Sequence, residues 1–388
     1  MPAAPSRTSA ASASAFLRTW LNRIGPILGL ALVILIFTLL MESPANYLSL
    51  FNLRIVLTQT VIVAIGAIGM TMIIISSGID LSVGSAIALT GVITALCLHA
   101  GMSPLFAVSA GILAGGAIGV VNGMVITGRT FEILCCVVIA TLAVVLFGIS
   151  IKVFVGVAVF LLLLRYAPAL ITRKSEPALV LPRLRVVPFI ATLGMMGIAR
   201  GTAKWFASEQ TVNVPETWVN QLLVTLPSRA WLLVAPGVWI AVVLAIVAAI
   251  ILRNTVFGRR VFALGSNEQA ARACGISTDR LKVWIYGLAG LLFGLAGVMQ
   301  MSRLRQGDPT VAAGTELDVI AAVVIGGGSL NGGEGSIFGS MIGALIMAFL
   351  RNGCQQLGWH NYVQEIIIGA IIVIAVAIDR WRTSRVTA

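Results

Sequence analysis

Charge is what this chain most lacks. Only 10% of its 388 residues are Asp, Glu, Lys or Arg, while 59% are apolar, and a soluble domain is roughly a quarter charged. An ordinary water-soluble fold is therefore excluded. Histidine is nearly absent: two residues, at positions 99 and 360, fall at helix ends, so a histidine proton relay is not expected. No His/Glu metal motif and no spaced aspartate pair occurs, which argues against an enzyme; no catalytic residue and no metal ligand is assigned. The five cysteines show no metal-ligand spacing, and Cys97, Cys135 and Cys136 sit in apolar stretches as packing residues. Lysine occurs only at 152, 174, 204 and 282, never after a glycine. The Gly-Lys-Ser/Thr cradle of a P-loop is thus missing, and energy for any work must come from a partner or an ion gradient.

Uncharged apolar runs are abundant instead: Ile24–Met41, Ile55–Ile79, Leu81–Gly128, Ile133–Ile151, Ala230–Leu252 and Val283–Ser302. About 20 such residues cross a bilayer as a helix, and backbone in lipid must bond within its own segment. The alternation of a membrane β-barrel is absent. The fold class is an all-α polytopic membrane protein. Ten core helices are predicted at 24–41, 53–76, 81–99, 104–127, 186–200, 231–252, 282–302, 316–327, 335–351 and 363–380.

The net charge of +12 does not imply a nucleic-acid partner, because the basic residues cluster in short segments between apolar runs. Placing both termini in the cytoplasm puts most of them inside, as in Arg18, Arg23, Arg165–Arg185, Arg253–Lys282 and Arg380–Arg385. Residues 1–23 read as a disordered cytoplasmic N-terminus and 24–129 as the first four helices. Residues 130–185 form an insertion, in which Phe131–Leu164 makes a hydrophobic hairpin that brings the crossings to twelve. Helices five and six follow in 186–252, a polar cytoplasmic loop in 253–282, helices seven to ten in 283–380, and a cytoplasmic tail in 381–388. Gly111, Gly115, Gly119 and Gly123 recur at a spacing of four, as do Gly335, Gly339 and Gly343. Such faces let helices approach closely. The fourth and ninth core helices run in opposite directions, which fits an inverted repeat.

The 253–282 loop carries a second local pattern. Asn267 is placed to cap a short helix with Glu268 in its first turn. Ala270, Ala271 and Ala273 propagate that helix and Gly275 ends it. This suits docking of another protein, or an ordinary amphipathic connector. The stretch Gly258-Arg-Arg-Val-Phe-Ala-Leu-Gly265-Ser-Asn267-Glu268-Gln-Ala-Ala271-Arg-Ala-Cys-Gly275-Ile resembles the coupling segment of ATP-binding-cassette importer permeases of the ribose/xylose/galactoside branch. Ser76-Ser-Gly78-Ile-Asp80-Leu-Ser82-Val-Gly84-Ser85, the run Val187–Gly201 and the run Glu316–Gly333 are similar to three further signatures of that branch, in the same order.

The resemblance implies a permease that pairs as two copies, homodimeric or heterodimeric, in the bacterial inner membrane. It implies a cytoplasmic ABC ATPase subunit, which would hold ATP and Mg, and a periplasmic sugar-binding protein. No cofactor is then expected in this chain, and its partners are those proteins and membrane lipid. Gly265, Asn267, Glu268, Ala271 and Gly275 become the ATPase-coupling residues, so Gly265→Asp or Glu268→Arg is expected to uncouple the ATPase. The insertion at 130–185 departs from the compact members. The alternatives are an ion-gradient-driven transporter and a branched-chain amino-acid permease.

Polar residues at membrane depth are costly and so are candidates for the pathway. Asp80, with Ser82 beside it, reads first as a helix-start acid, as do Glu316 and Asp318, with substrate contact the other reading. Gln59 and Asn122 would hydrogen-bond either a hydroxylated substrate or a neighbouring helix. Aromatic residues, 7% of the chain, are few in the core helices, which suggests a passage and not a tight sugar site.

Overall fold

The computed structural model describes residues 8–128, 185–226 and 233–387. The expected hairpin, Cys135, Cys136 and the basic run from Arg165 to Arg183 lie outside the described residues. Helices α1 (Thr8–Leu40), α2 (Pro44–Tyr47), α3 (Leu50–Ile75), α4 (Val83–His99), α5 (Pro104–Ile126) and α6 (Pro188–Phe206) precede α7 (Pro236–Asn254). Then come α8 (Val256–Ser266), α9 (Glu268–Ala273), α10 (Thr278–Leu304), α11 (Thr315–Ile325), α12 (Ile337–Gln356) and α13 (Asn361–Thr387). Strand β1 (Val212–Asn213) pairs antiparallel with β2 (Gln306–Gly307). The fold is all-α in character, and α3, α5, α7, α10 and α12 are long and apolar enough to cross a membrane.

Local chemistry places the helix starts. Ser49, Ser103 and Ser336 each accept a backbone N–H through Oγ, from Asn52, Phe106 and Gly339 respectively, satisfying a donor that the helix itself leaves free. Pro104, Pro188 and Pro236 occupy first-turn positions, where a missing N–H costs nothing. Helix α1 begins at Thr8, inside the stretch 1–23 read as disordered. Alanine, frequent there, has the highest helix propensity of any residue.

Helix α3 is the axis of the molecule, with Ile65, Ile68, Ile73, Ile74 and Ile75 fully buried. Around it the packing repeats. Helix α3 packs on α12 as α10 packs on α5, and α4 on α5 as α11 on α12. Likewise α4 packs on α6 as α11 on α13, and α4 on α10 as α11 on α3. Exchanging α3–α6 with α10–α13 therefore maps the packing onto itself. Ile75, the last residue of α3, lies against Gly265, close ahead of α10, while Asn52 near the start of α3 meets Asn352 near the end of α12. The two halves are inverted, as the helix pattern predicted.

The glycine rows share their spacing but not their partners. Added Cβ atoms at Gly115 and Gly119 would strike the Gly290 and Tyr286 carbonyls of α10, and one at Gly123 would lie 2.7 Å from the Val283 Cα. A Cβ at Gly111 would strike the Thr94 hydroxyl of α4. Gly339 and Gly343 instead face Gly326 and Ala322 at the end of α11. Gly335 precedes α12 and packs on the Ile75 side chain.

Helices α4 and α11 start inside the core. Val83 and Val319 both pack beside Gly66, well within α3. The chain thus reaches each start through non-helical backbone, 76–82 and 305–314, which is tolerated at depth only where protein covers it. On the outside, Val243, Ile246, Val247 and Ile250 of α7 form an exposed apolar face suited to lipid.

Candidate functional site

The first candidate site lies where the two short helices begin. Asp80 is 1% exposed. Its Oδ1 accepts the Ser82 N–H at 2.8 Å and the Ser82 hydroxyl at 2.6 Å. Asn122 of α5 donates through Nδ2 to Asp80 Oδ2 at 3.2 Å and to Ser82 Oγ at 3.0 Å. Three of the residues singled out from the sequence therefore form one buried cluster, in which Asp80 lies just ahead of α4 and caps none of its N–H groups. Thr192 of α6 donates to the Ile79 carbonyl at 3.3 Å, fastening the 76–82 segment from the other side. Tyr286 lies over Gly78 with its hydroxyl buried and without a hydrogen-bond partner among the described residues. Sequence reasoning missed it, because a tyrosine in an apolar helix reads as packing.

Glu316 and Asp318 occupy the first turn of α11. Glu316 Oε1 accepts the Gly314 N–H at 3.2 Å, and its Oε2 lies against the position a Gly84 side chain would fill, so α11 meets α4 start to start. Asp318, 3% exposed, receives Arg351 Nη2 of α12 on Oδ2 at 2.5 Å. Arg200 of α6 donates to the Pro309 and Val311 carbonyls at 3.0 and 2.6 Å, fixing the chain as it descends into the core. Gln59 sits half-buried on α3 and joins none of these hydrogen bonds. Arg351 is a residue that sequence reasoning missed. A lone arginine within an apolar helix is the signal for a partner.

The second candidate site is the connection between α7 and α10. Asn267 Oδ1 accepts the Ala270 N–H at 2.9 Å, Ala271 is buried, and Gly275 ends the segment at φ +83°. The expected capped helix is there. Ahead of it runs α8, which was not anticipated, although Thr255 caps it through Gly258 N at 3.3 Å. Gly265 is buried: a Cβ there would strike the Ile75 carbonyl and come within 2.6 Å of the Gly333 nitrogen. It therefore seats α8 on the core and presents no side of its own to a partner. The outward surface comes from Asn267, Gln269, Ala270, Arg272 and Ala273.

Glu268 holds this connection together electrically. Lys282 donates to its Oε2 at 2.6 Å, Arg272 to its Oε1 at 3.1 Å, and Arg185 approaches to 3.9 Å. Arg185 also reaches Asp279 at 3.3 Å. Burial opposes ionisation of Glu268. The Lys282 hydrogen bond and the charges of Lys282, Arg185 and Arg272 outweigh it and hold the carboxyl below its ordinary range.

Residues 133–376 match the family of permease components of branched-chain amino acid transport systems. The chain is 35% identical to the ribose import permease protein of Escherichia coli K12 over 364 residues, covering 94% of this chain and 95% of that one. It is 34% identical over 366 residues to the ribose import permease of Bacillus subtilis, covering 94% of each. With the L-arabinose ABC transporter permease of Azospirillum brasilense it shares 30% over 365 residues, 94% of this chain and 89% of that one. The chain belongs to this permease family. No solved structure matches it significantly. In this permease, a multi-pass membrane protein, the matched residues run from α6 through α13 and take in both candidate sites except Asp80, Ser82 and Asn122.

Proposed function

We propose that the chain is the membrane-spanning subunit of an ATP-driven importer that carries a monosaccharide across the bacterial inner membrane. The observation that carries this reading is its similarity, over nearly the whole of each chain, to permeases named for ribose import and for L-arabinose transport. The capped helix α9 and the seated α8 give the cytoplasmic ATPase a docking surface. ATP and Mg belong to that partner. A periplasmic binding protein delivers the sugar, and a second permease copy, identical or related, completes the passage among membrane lipids. Both termini are cytoplasmic on this reading, and Asp80, Ser82, Asn122, Glu316 and Asp318 line or support the route where the broken helices meet.

A second reading, a branched-chain amino-acid permease, is favoured by the description of the matching family. Affinity capture of the chain from native membranes, with mass spectrometry of what stays bound, tests the first. Recovery of an ABC ATPase, with ATP-dependent uptake of ribose or arabinose into proteoliposomes, is the expected result. Uptake of leucine in place of sugar would select the second reading. Recovery of the chain alone, with uptake driven by an ion gradient and no ATP, would overturn both.

A further inference from the structure

The ion pair between Asp318 and Arg351 is incomplete. A carboxylate and a guanidinium ordinarily meet through two parallel hydrogen bonds. Here a single one is made, from Nη2 to Oδ2 at 2.5 Å. Asp318 Oδ1 and Arg351 Nε are both buried and have no partner among the described residues. Glu316, two residues earlier in the same turn, also leaves Oε2 buried and unpartnered. Buried polar atoms in native proteins nearly always find partners, so three orphans around one helix turn call for a ligand. The Arg351 side chain is 37% exposed and that of Asp318 is 4% exposed.

The orphans select the ligand's chemistry. Two are acceptors with negative charge and one is a donor with positive charge. A hydroxyl group answers both, donating its proton to a carboxylate oxygen while accepting the Nε–H. An ammonium would be repelled by Arg351 and a carboxylate by Glu316 and Asp318. A neutral molecule that places one hydroxyl between Asp318 and Arg351 satisfies two of the three. We propose that the first turn of α11, together with Arg351 of α12, is a hydroxyl-binding subsite at which the permease itself inspects the sugar. This rests on the importer reading and adds a second point of selection beyond the binding protein.

The test is a cycle between protein and substrate. Permease, ATPase subunit and binding protein are reconstituted in proteoliposomes. Uptake of D-ribose and its 2-deoxy, 3-deoxy and 5-deoxy analogues is measured at saturating sugar-loaded binding protein, so that the rate reports the membrane step, with ATP hydrolysis recorded in parallel. Losing one hydrogen bond to a charged group is expected to slow one analogue about tenfold in the wild type. Asp318→Asn should slow ribose by a similar factor and add little to the loss for that analogue, since both changes remove one contact. If the losses multiply for every analogue, or if all analogues cross the wild-type permease at the ribose rate, the subsite is refuted and the orphans hold ordered water only. Should Asp318→Asn fail to assemble, Asp318→Asn with Arg351→Gln removes both charges together, and the wild-type analogue series still decides. A wild-type assembly that moves no sugar with ATP would sink the importer reading itself, and this inference with it.

Discussion

Replacing Gly265 by alanine tests how the docking segment is seated. The added Cβ would overlap the Ile75 carbonyl oxygen, approach the Gly333 nitrogen to 2.6 Å and the Ile75 carbonyl carbon to 2.8 Å. All three are main-chain atoms, tied to one another by the Gly333 N–H that donates to Ile75 O at 2.8 Å. Nothing there can rotate aside. Overpacking of this kind costs about 1–3 kcal/mol, and disturbing the one hydrogen bond adds about 1 kcal/mol. Together they weaken the seat of α8 by about 2–4 kcal/mol, which is between about thirtyfold and several hundredfold in its equilibrium. The membrane core, built around α3, does not depend on that seat. In nanodiscs, Gly265→Ala should keep a thermal transition close to that of the wild type, yet bind the ATPase subunit at least tenfold more weakly and transport little. Gly265→Asp, bulkier and charged, should do worse. Gly275→Ala is the control: φ is +83° but the space around it is open, so the cost is only about 1–2 kcal/mol for the left-handed backbone. Wild-type ATPase affinity and transport in Gly265→Ala, or an equal loss at Gly275, would refute the reasoning.

Glu268→Arg would set a fourth positive charge among Arg185, Arg272 and Lys282, so ATPase binding should be lost while insertion persists, as read by pull-down. Because Glu268 ionises below its ordinary value of 4.5, its contribution is full above that pH and fades only as pH falls through the lowered value. Binding should therefore be flat from neutral pH down to the ordinary carboxylate range, and an earlier decline would contradict the network. On α5, Gly115→Ala meets main-chain atoms of Gly290 and Gly294, whereas Gly194→Ala on α6 meets nothing within 4 Å. The first should lower the unfolding temperature in detergent, at a cost of about 1–3 kcal/mol, and the second should not, so equal shifts would overturn the packing assignment. The Tyr286 hydroxyl is buried without a partner among the described residues, so Tyr286→Phe should leave stability unchanged or raise it, and a clear loss would reveal a bridging water to the Asp80 cluster.

Much of this protein is legible along the chain, because the forces involved act within one helix. The lengths of the apolar runs gave the ten core helices, since a bilayer demands about 20 residues of internally bonded backbone. Asn267, Glu268 and Gly275 announced α9, since caps and helix ends are chosen by neighbours three or four residues away. Helix α8 was overlooked for the opposite reason: Gly258 and Gly265 look like helix breakers until the carbonyls of Leu252 and Ile75, against which they pack, are in view.

What only the tertiary structure decided is pairing at a distance. No spacing rule joins Asn52 to Asn352 at 3.0 Å, Asp80 to Asn122 at 3.2 Å, or Asp318 to Arg351. The first links α3 to α12 across the inverted packing, and the other two link consecutive helices whose relative depth only the fold sets. Asp80, Glu316 and Asp318 were recognisable from sequence as acids too costly to bury without purpose. Their partners were not, because a buried polar group is satisfied by whatever donor the fold carries to it. The sequence by itself thus determined the core helices, the cap of α9 and the family. The fold determined which polar atoms are paired and which are left open at the place where α4 and α11 begin.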